Sequence, residues 1–364
     1  MEYAISGTVV YGDEFEAVNG YVLIKDGVIH EVGHEKIDSV MNGIIIPAFV
    51  NAHTHIGDSV AKDPDTSSMT LDEIVGPGGL KHRILEKTPY NDLVGSMRQS
   101  LLDMITCGTL TFSDFREGGV VGAKALRDAS LGLPIEANIF GRQLPTEDLP
   151  LSDLLSVVDG IGVSSVIEYD KENLHEVVEE ARKRGKQIAV HAGEKDRSDI
   201  KGAIDLRPDH IVHMTKASDE DIRLMATDDI PVVVCVRSNL ITGVGRPPIN
   251  EMLDEGITVA VGTDNVMLNS PNMFAECEFL SKMIVHNDRK LLKMCTLNGA
   301  KVLKRDGRIG SISEGKDANL IVVNDRSNNM MNVRDPISGI VKRARPEDIK
   351  ATINEGVFVV NNGG

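Results

Sequence analysis

Tryptophan is absent from this 364-residue chain, and aromatic residues make up only 4% of it. A flat ligand therefore cannot stack on an indole; Phe, Tyr, His, an Arg plane or aliphatic walls must grip it. Basic residues are also short, with 39 Lys and Arg against 55 Asp and Glu and a formal net charge of -16. Without a basic block, neither a nucleic-acid partner nor an anionic membrane surface is expected. Lys342, Arg343 and Arg345 form a small basic cluster, and flanking acids make it a solvated face.

Cysteine is sparse too. Cys107, Cys235, Cys277 and Cys295 are scattered with no C-x-x-C pair, which favours reduced thiols in a cytoplasmic protein over a disulfide framework. The N-terminal MEYAISGTVVYG lacks a basic segment followed by an apolar core and does not read as a signal peptide. The longest apolar runs, such as Ile44–Val50 and Ile230–Val236, fall far below the roughly 20 residues of a membrane helix. No G-x-G-x-x-G follows the first strand and no G-x-x-x-x-G-K-[ST] occurs, so nucleotide-cradling loops have no support.

What the chain does have is pattern. Near the N-terminus, TVVYG, GYVLIKDGVIHEVG and GIIIP read as short strands, with Asp26-Gly27 as a hairpin turn. ANLIVV (318–323) and IKATINEGVFVV (349–360) repeat the type near the other end. Neither patch can bury a face alone, so residues 1–46 with 315–364 are expected to form one small β-sandwich domain.

Between them, residues 47–314 alternate apolar runs with helix-period stretches. The strands read are Ile44–Val50, Leu110–Ser113, Ile135–Phe140, Ile161–Ile167, Gln187–His191, His210–His213, Val232–Val236 and Thr258–Gly262. Helices are expected at Tyr90–Thr106, Val120–Ser130, Asp170–Arg184, Ser218–Thr227 and Asn272–Ile284. This alternation predicts an α/β fold of the (β/α)8 TIM-barrel type rather than an open doubly wound sheet.

The chemistry gathers at the C-terminal ends of those strands, where such barrels build their active sites. His53 and His55, in NAHTH, share one strand face. His191 closes IAVHAGE, His213 closes HIVHM and Asp264 lies in VAVGTDN. A lone H-x-H is weak, but the same placement on several strands is hard to reach by accident. Three imidazoles and a carboxylate suit one divalent ion, with Zn2+ first and Fe2+ or Mn2+ as rivals. Glu194, three positions past His191, is a candidate proton shuttle. The other histidines read as structural: His30 and His34 sit in the β domain, His175 and His286 in charged stretches. His210 faces away from His213.

PAFVNAHTH, VHAGE, HIVHM and AVGTDN, followed by TLNGAKVL and GRIGSISEGKDANLIVV, resemble the amidohydrolase superfamily in its mononuclear cytosine-, adenosine- and S-adenosylhomocysteine-type deaminase branch. The resemblance spans nearly the whole chain. It implies that His53, His55, His191 and Asp264 ligate one divalent metal, with His213 beside the activated water. Glu194 would carry a proton to a ring nitrogen and the leaving group, and Asp264 would share the catalytic work. Binuclear branches need a carboxylated Lys ending the fourth strand; GIGVSSVIEYD offers Ser164 and Ser165 instead. The implied activity is release of ammonia from an amino-substituted purine, adenine nucleoside derivative, pyrimidine or pterin. Cyclic C–N or C–Cl hydrolysis is the alternative on the same scaffold, and a non-catalytic relative is the remote one.

Substrate choice falls to the loops after the strands. Gly57–Lys87 is long enough for a lid, and His82 within it is a candidate contact. Arg116, in SDFREGG, and Arg142 with Gln143, in IFGRQL, are expected at the barrel mouth. Arg142 can meet a phosphate or carboxylate and Gln143 a heterocycle edge, although each can equally serve as a structural partner. Asn239, in CVRSNL, is a weaker candidate beside Ser238. A homodimer is compatible with this composition.

Overall fold

The computed structural model describes residues 1–142 and 150–362. The chain begins with strands β1 (Glu2–Tyr11), β2 (Glu16–Lys25), β3 (Val28–Gly33) and β4 (Met41–Pro47). Asp26 and Gly27, with φ of 50° and 88°, turn β2 back along β3, the left-handed pair that a two-residue hairpin requires. Next come β5 (Phe49–His55), β6 (Thr109–Arg116), β7 (Glu136–Gly141), β8 (Gly160–Val163) and β9 (Gln187–Ala192). They are followed by β10 (His210–His213), β11 (Val232–Val234), β12 (Val259–Val261) and β13 (Asp264–Asn265). The last strands are β14 (Leu320–Val323), β15 (Ile349–Asn354) and β16 (Val357–Asn361).

Strands β5 to β13 form one parallel sheet in the order β12-β11-β10-β9-β8-β7-β6-β5-β13. Its edges, β12 and β13, are two pieces of one run, so residues 259–265 close the sheet into a (β/α)8 TIM barrel. Inward side chains such as Val50, Ala52, Phe115, Phe140, Val212 and Val233 fill it, making a packed core rather than a pore. The outer helices start where the sequence provides caps. Asp170 accepts the amides of Glu172 and Asn173, and Ser218 with Asp221 forms a capping box.

The remaining strands make a seven-stranded mixed sheet, β16-β15-β14-β4-β1-β2-β3, drawn from both ends of the chain. One side buries Ile5, Val9, Ile45 and Val322 in a core of its own. Ile44, Ile46, Ile321 and Val323 belong to the main apolar cluster around the barrel. Strand β4 therefore has both faces covered, which explains its unbroken apolar GIIIP.

Two readings of strands need correction. The run Ile44–Val50 is not one barrel strand: β4 ends at Pro47 in the terminal sheet, and β5 begins at Phe49. Ala48 donates its amide to Asn319 of one sheet's connection, and Phe49 donates to Gly108 beside the other. Hydrophobic continuity hides this handover because both sheets are buried. The fourth barrel strand stops at Val163 instead of Ile167, and Val166–Glu168 coils into a single turn. That turn faces Ser164 and Ser165 to the barrel mouth.

Candidate metal centre and active site

Strand β5 is buried at every residue, and its pleat sends His53 and His55 toward the same space. Their neighbour across the closure is Gly262. A Cβ there would lie 2.7 Å from the His53 Cβ and carbonyl oxygen, so only glycine lets the two ends of the sheet meet. Asn51 locks the seam, donating to the Thr263 hydroxyl at 2.8 Å and accepting the Thr263 amide at 3.0 Å. Asp264 follows with φ of 63°, and His213 has φ of 79°. Left-handed backbone at two non-glycine residues is a stored strain of the kind found at functional sites.

Four histidines and Asp264 thus converge. His191 Nε2 lies 3.1 Å from His53 Nε2. Asp264 Oδ1 is 3.4 Å from His53 Nε2 and 3.6 Å from His55 Nε2. Burial drives the His53 pKa down to about 3 and holds His191 well below its ordinary value, so these rings present lone pairs. Burial also works against the Asp264 carboxylate, but the adjacent His53 and the other histidines offset it and hold its pKa well below the usual range. Asp264 Oδ1 is buried without a hydrogen-bond partner, while its Oδ2 accepts from Ser238 Oγ at 2.6 Å.

Neutral imidazoles facing one another beside an ionised, unpartnered carboxylate oxygen need a cation among them. Ligands about 2.1 Å from a tetrahedral ion lie roughly 3.4 Å apart, close to the separations found here. His53, His55 and His191 form one possible ligand group, and His53, His213 and Asp264 another. The donor set fits a single divalent metal.

Around this set stand side chains that orient it. His55 Nδ1 donates to Glu117 Oε1 at 2.9 Å, leaving Nε2 for the centre. His213 Nδ1 donates to Asn239 Oδ1 at 3.3 Å, and the same amide donates to Thr215 at 2.8 Å. Such partners fix the tautomer and angle of a ligating ring. Glu194 stands across the cavity, its Oε2 3.6 Å from His213 Nε2. Its side chain keeps 22% exposure, yet burial raises its pKa above the ordinary value.

A cavity of about 250 Å³ opens over these groups. Its walls include Phe115, Leu71, Val75 and Ile167, so one benzene ring and aliphatic carbons take the place of the missing indole. Ser164 and Ser165, just past the end of β8, line it as well.

The loop candidates fare unevenly. Arg142 reaches the cavity wall, with Nη2 donating to Glu168 at 2.7 Å. Arg116 does not; it is 1% exposed, paired with Asp114 and Glu117 beneath Gly57. Its successor Glu117 lines the cavity instead. His82 is half-buried off the wall, and its predecessor Lys81 lines the cavity, donating to Glu117 at 2.6 Å. Asn239 lies under the site behind His213, not on the wall. Gln143 lies outside the described residues. Glu117 and Lys81 are the residues that sequence reasoning missed. Strand alternation contains the signal for Glu117, since it shares parity with the inward Phe115.

Residues 44–359 match the amidohydrolase family. The chain is 34% identical to a putative aminohydrolase of Methanothermobacter thermautotrophicus, across 97% of this chain and 98% of the relative. It is 27% identical to a 5-methylthioadenosine/S-adenosylhomocysteine deaminase of Acetivibrio thermocellus, covering 98% and 91%. Among solved structures, an adenosine deaminase from Xanthomonas campestris with bound zinc superposes with a TM-score of 0.81. That pair shares the fold at 18% identity, over 99% of this chain and 93% of the other. No helix among the described residues is long and apolar enough to cross a membrane. With the family match spanning nearly all of the sequence, the chain belongs to the amidohydrolase family.

Proposed function

We propose that this amidohydrolase is a deaminase, hydrolysing the exocyclic amino group of an adenine nucleoside derivative or a related amino-heterocycle. The observation that carries the reading is Glu194 poised beside His213 over a one-metal ligand set. The relatives named as deaminases support the same chemistry. His53, His55, His191 and Asp264 are the ligands, and Zn2+ is the metal the nitrogen-rich set favours.

When bound, the metal acidifies a coordinated water and so supplies the nucleophile near neutral pH. The protein's own groups do the rest. His213, held by Asn239, offers Nε2 to the water's proton as the oxygen attacks the ring carbon bearing the amino group. Asp264, braced by Ser238, keeps its charge against that proton and draws it from the other side. Glu194, whose pKa burial raises, acts from its acid form and gives a proton to the neighbouring ring nitrogen. That proton transfer leaves a tetrahedral carbon carrying both hydroxyl and amino groups. The proton taken up by His213 then passes to the amino group, ammonia leaves, and the hydroxyl proton returns to the Glu194 carboxylate as the ring carbonyl forms. Phe115 and the aliphatic wall cover the flat faces of the heterocycle.

Glu194→Gln removes the acid while keeping size and polarity. We expect it to retain metal content and lose turnover by about 10²–10⁴-fold, measured as ammonia release alongside elemental analysis. Undiminished turnover at full metal content would sink the role of Glu194.

A further inference from the structure

We propose that the cavity selects an amino-heterocycle whose remaining substituent carries no net negative charge, and discriminates against phosphate-bearing analogues. The proposal rests on the deaminase reading and adds a substrate class to it. Three cations reach the cavity wall among the described residues: Lys81, Arg142 and Lys195. Each is already matched. Lys81 Nζ lies 2.6 Å from Glu117 Oε1 and Arg142 Nη2 lies 2.7 Å from Glu168 Oε2, while Lys195 pairs with Asp72. The wall then carries the carboxylates of Asp196, Asp199 and Asp264, beside Glu194 in its acid form, with no further cation among the described residues to balance them. A divalent ion at the histidines offsets only part of that excess.

An anionic group entering this cavity would lose its hydration and meet carboxylates, and like charges brought together at a recognition site act as a repulsive filter. The net charge of -16 adds long-range repulsion. Neutral acceptors find partners. The Arg142 guanidinium is neutralised by Glu168, which also accepts from Ser164 Oγ at 2.6 Å. Arg142 Nε is buried without a partner among the described residues, so a residue of the cavity wall keeps one unsatisfied donor. Glu168 is thus a specificity-determining residue that withholds the charge of Arg142.

The test compares 5-methylthioadenosine, S-adenosylhomocysteine and adenosine 5′-monophosphate, which share one ring and carry respectively no charge, a zwitterionic tail with no net charge, and a phosphate dianion. For the metal-loaded protein, kcat/KM for the neutral compound should exceed that for the monophosphate by about 100-fold. Added salt should narrow the gap by screening. Glu168→Gln should raise the carboxylate compound relative to the neutral one by about tenfold, because Arg142 is released to pair with it. Equal or better turnover of the monophosphate by the unaltered protein would overturn the proposal. Equilibrium binding of the same compounds to metal-loaded Glu194→Gln separates the two layers of the argument. If the unaltered protein deaminates none of them but the neutral compound binds more tightly than the monophosphate, the deaminase reading fails and the charge selection stands. Absence of binding, or tighter binding of the monophosphate, removes the charge selection itself.

Discussion

Glu117 illustrates how much one residue can hold. Its Oε1 accepts from His55 Nδ1 and from Lys81, and its Oε2 accepts from Arg116. These cations, with Lys81 foremost, overcome the cost of burial and hold its pKa well below the usual range. A permanently ionised acceptor keeps His55 in the tautomer that points Nε2 at the centre. Glu117→Gln should therefore weaken metal binding by about 10–100-fold, read in a competition titration against a chromogenic chelator. Unchanged affinity would show that His55 orients itself without help. His210 makes the opposite case. It is fully buried against Phe140, neither ring nitrogen has a partner, and burial pushes its pKa down from 6.5 to about 4. The unfolded chain binds this proton near pH 6.5 and the folded chain does not, so stability falls as pH drops through the window from 6.5 to about 4. The contribution amounts to about 3 kcal/mol below that window. His210→Leu should flatten the pH dependence of the urea midpoint there; an unaltered slope would exclude His210 as its source.

At the scale of elements, the site depends on where strands end and meet. The barrel closes because Gly262 lets residues 259–265 run against β5. Gly262→Ala places a methyl group into the His53 backbone, and the strand must shift. We expect a loss of about 1–3 kcal/mol, seen as a lower melting temperature together with reduced metal content. A stable variant with full metal would mean that the seam is looser than its contacts indicate. The same elements show why some of the site was legible in the sequence. His53, His55, His191, His213 and Asp264 stand at ends of apolar runs, where strand alternation and barrel geometry suffice to bring them together. The lid has no such ruler. On the helix Leu80–Lys87, neighbouring residues point about 100° apart, and nothing in the loop before it sets the phase. Lys81 consequently faces the cavity where His82 was expected. Arg116 and Glu117 are exchanged at the end of β6, where alternation gives Glu117 the inward parity of Phe115. The break at Pro47 was hidden because buried strands of two sheets follow one another without a polar interruption.

For the whole molecule, the early figures for aromatic content and charge take on local meaning. The absence of Trp leaves Phe115 as the benzene ring on the cavity wall, packed against His53 and His191 at ring distances of 4.7 and 4.5 Å. The acid excess is partly concentrated at the site, where a divalent ion would relieve repulsion in the folded state alone. Metal removal should therefore lower the melting temperature, and restoring the metal should raise it in proportion to the logarithm of its free concentration. A melting temperature insensitive to chelation would contradict binding at the histidine cluster.

The most direct test of the deaminase account is ammonia release from 5-methylthioadenosine and other amino-purines by protein carrying one divalent ion per chain. The account predicts one ammonia per heterocycle converted, loss of release after chelation, and recovery when the metal is returned. Fully loaded protein that releases no ammonia from any amino-heterocycle, or releases it equally well after stripping, would contradict it.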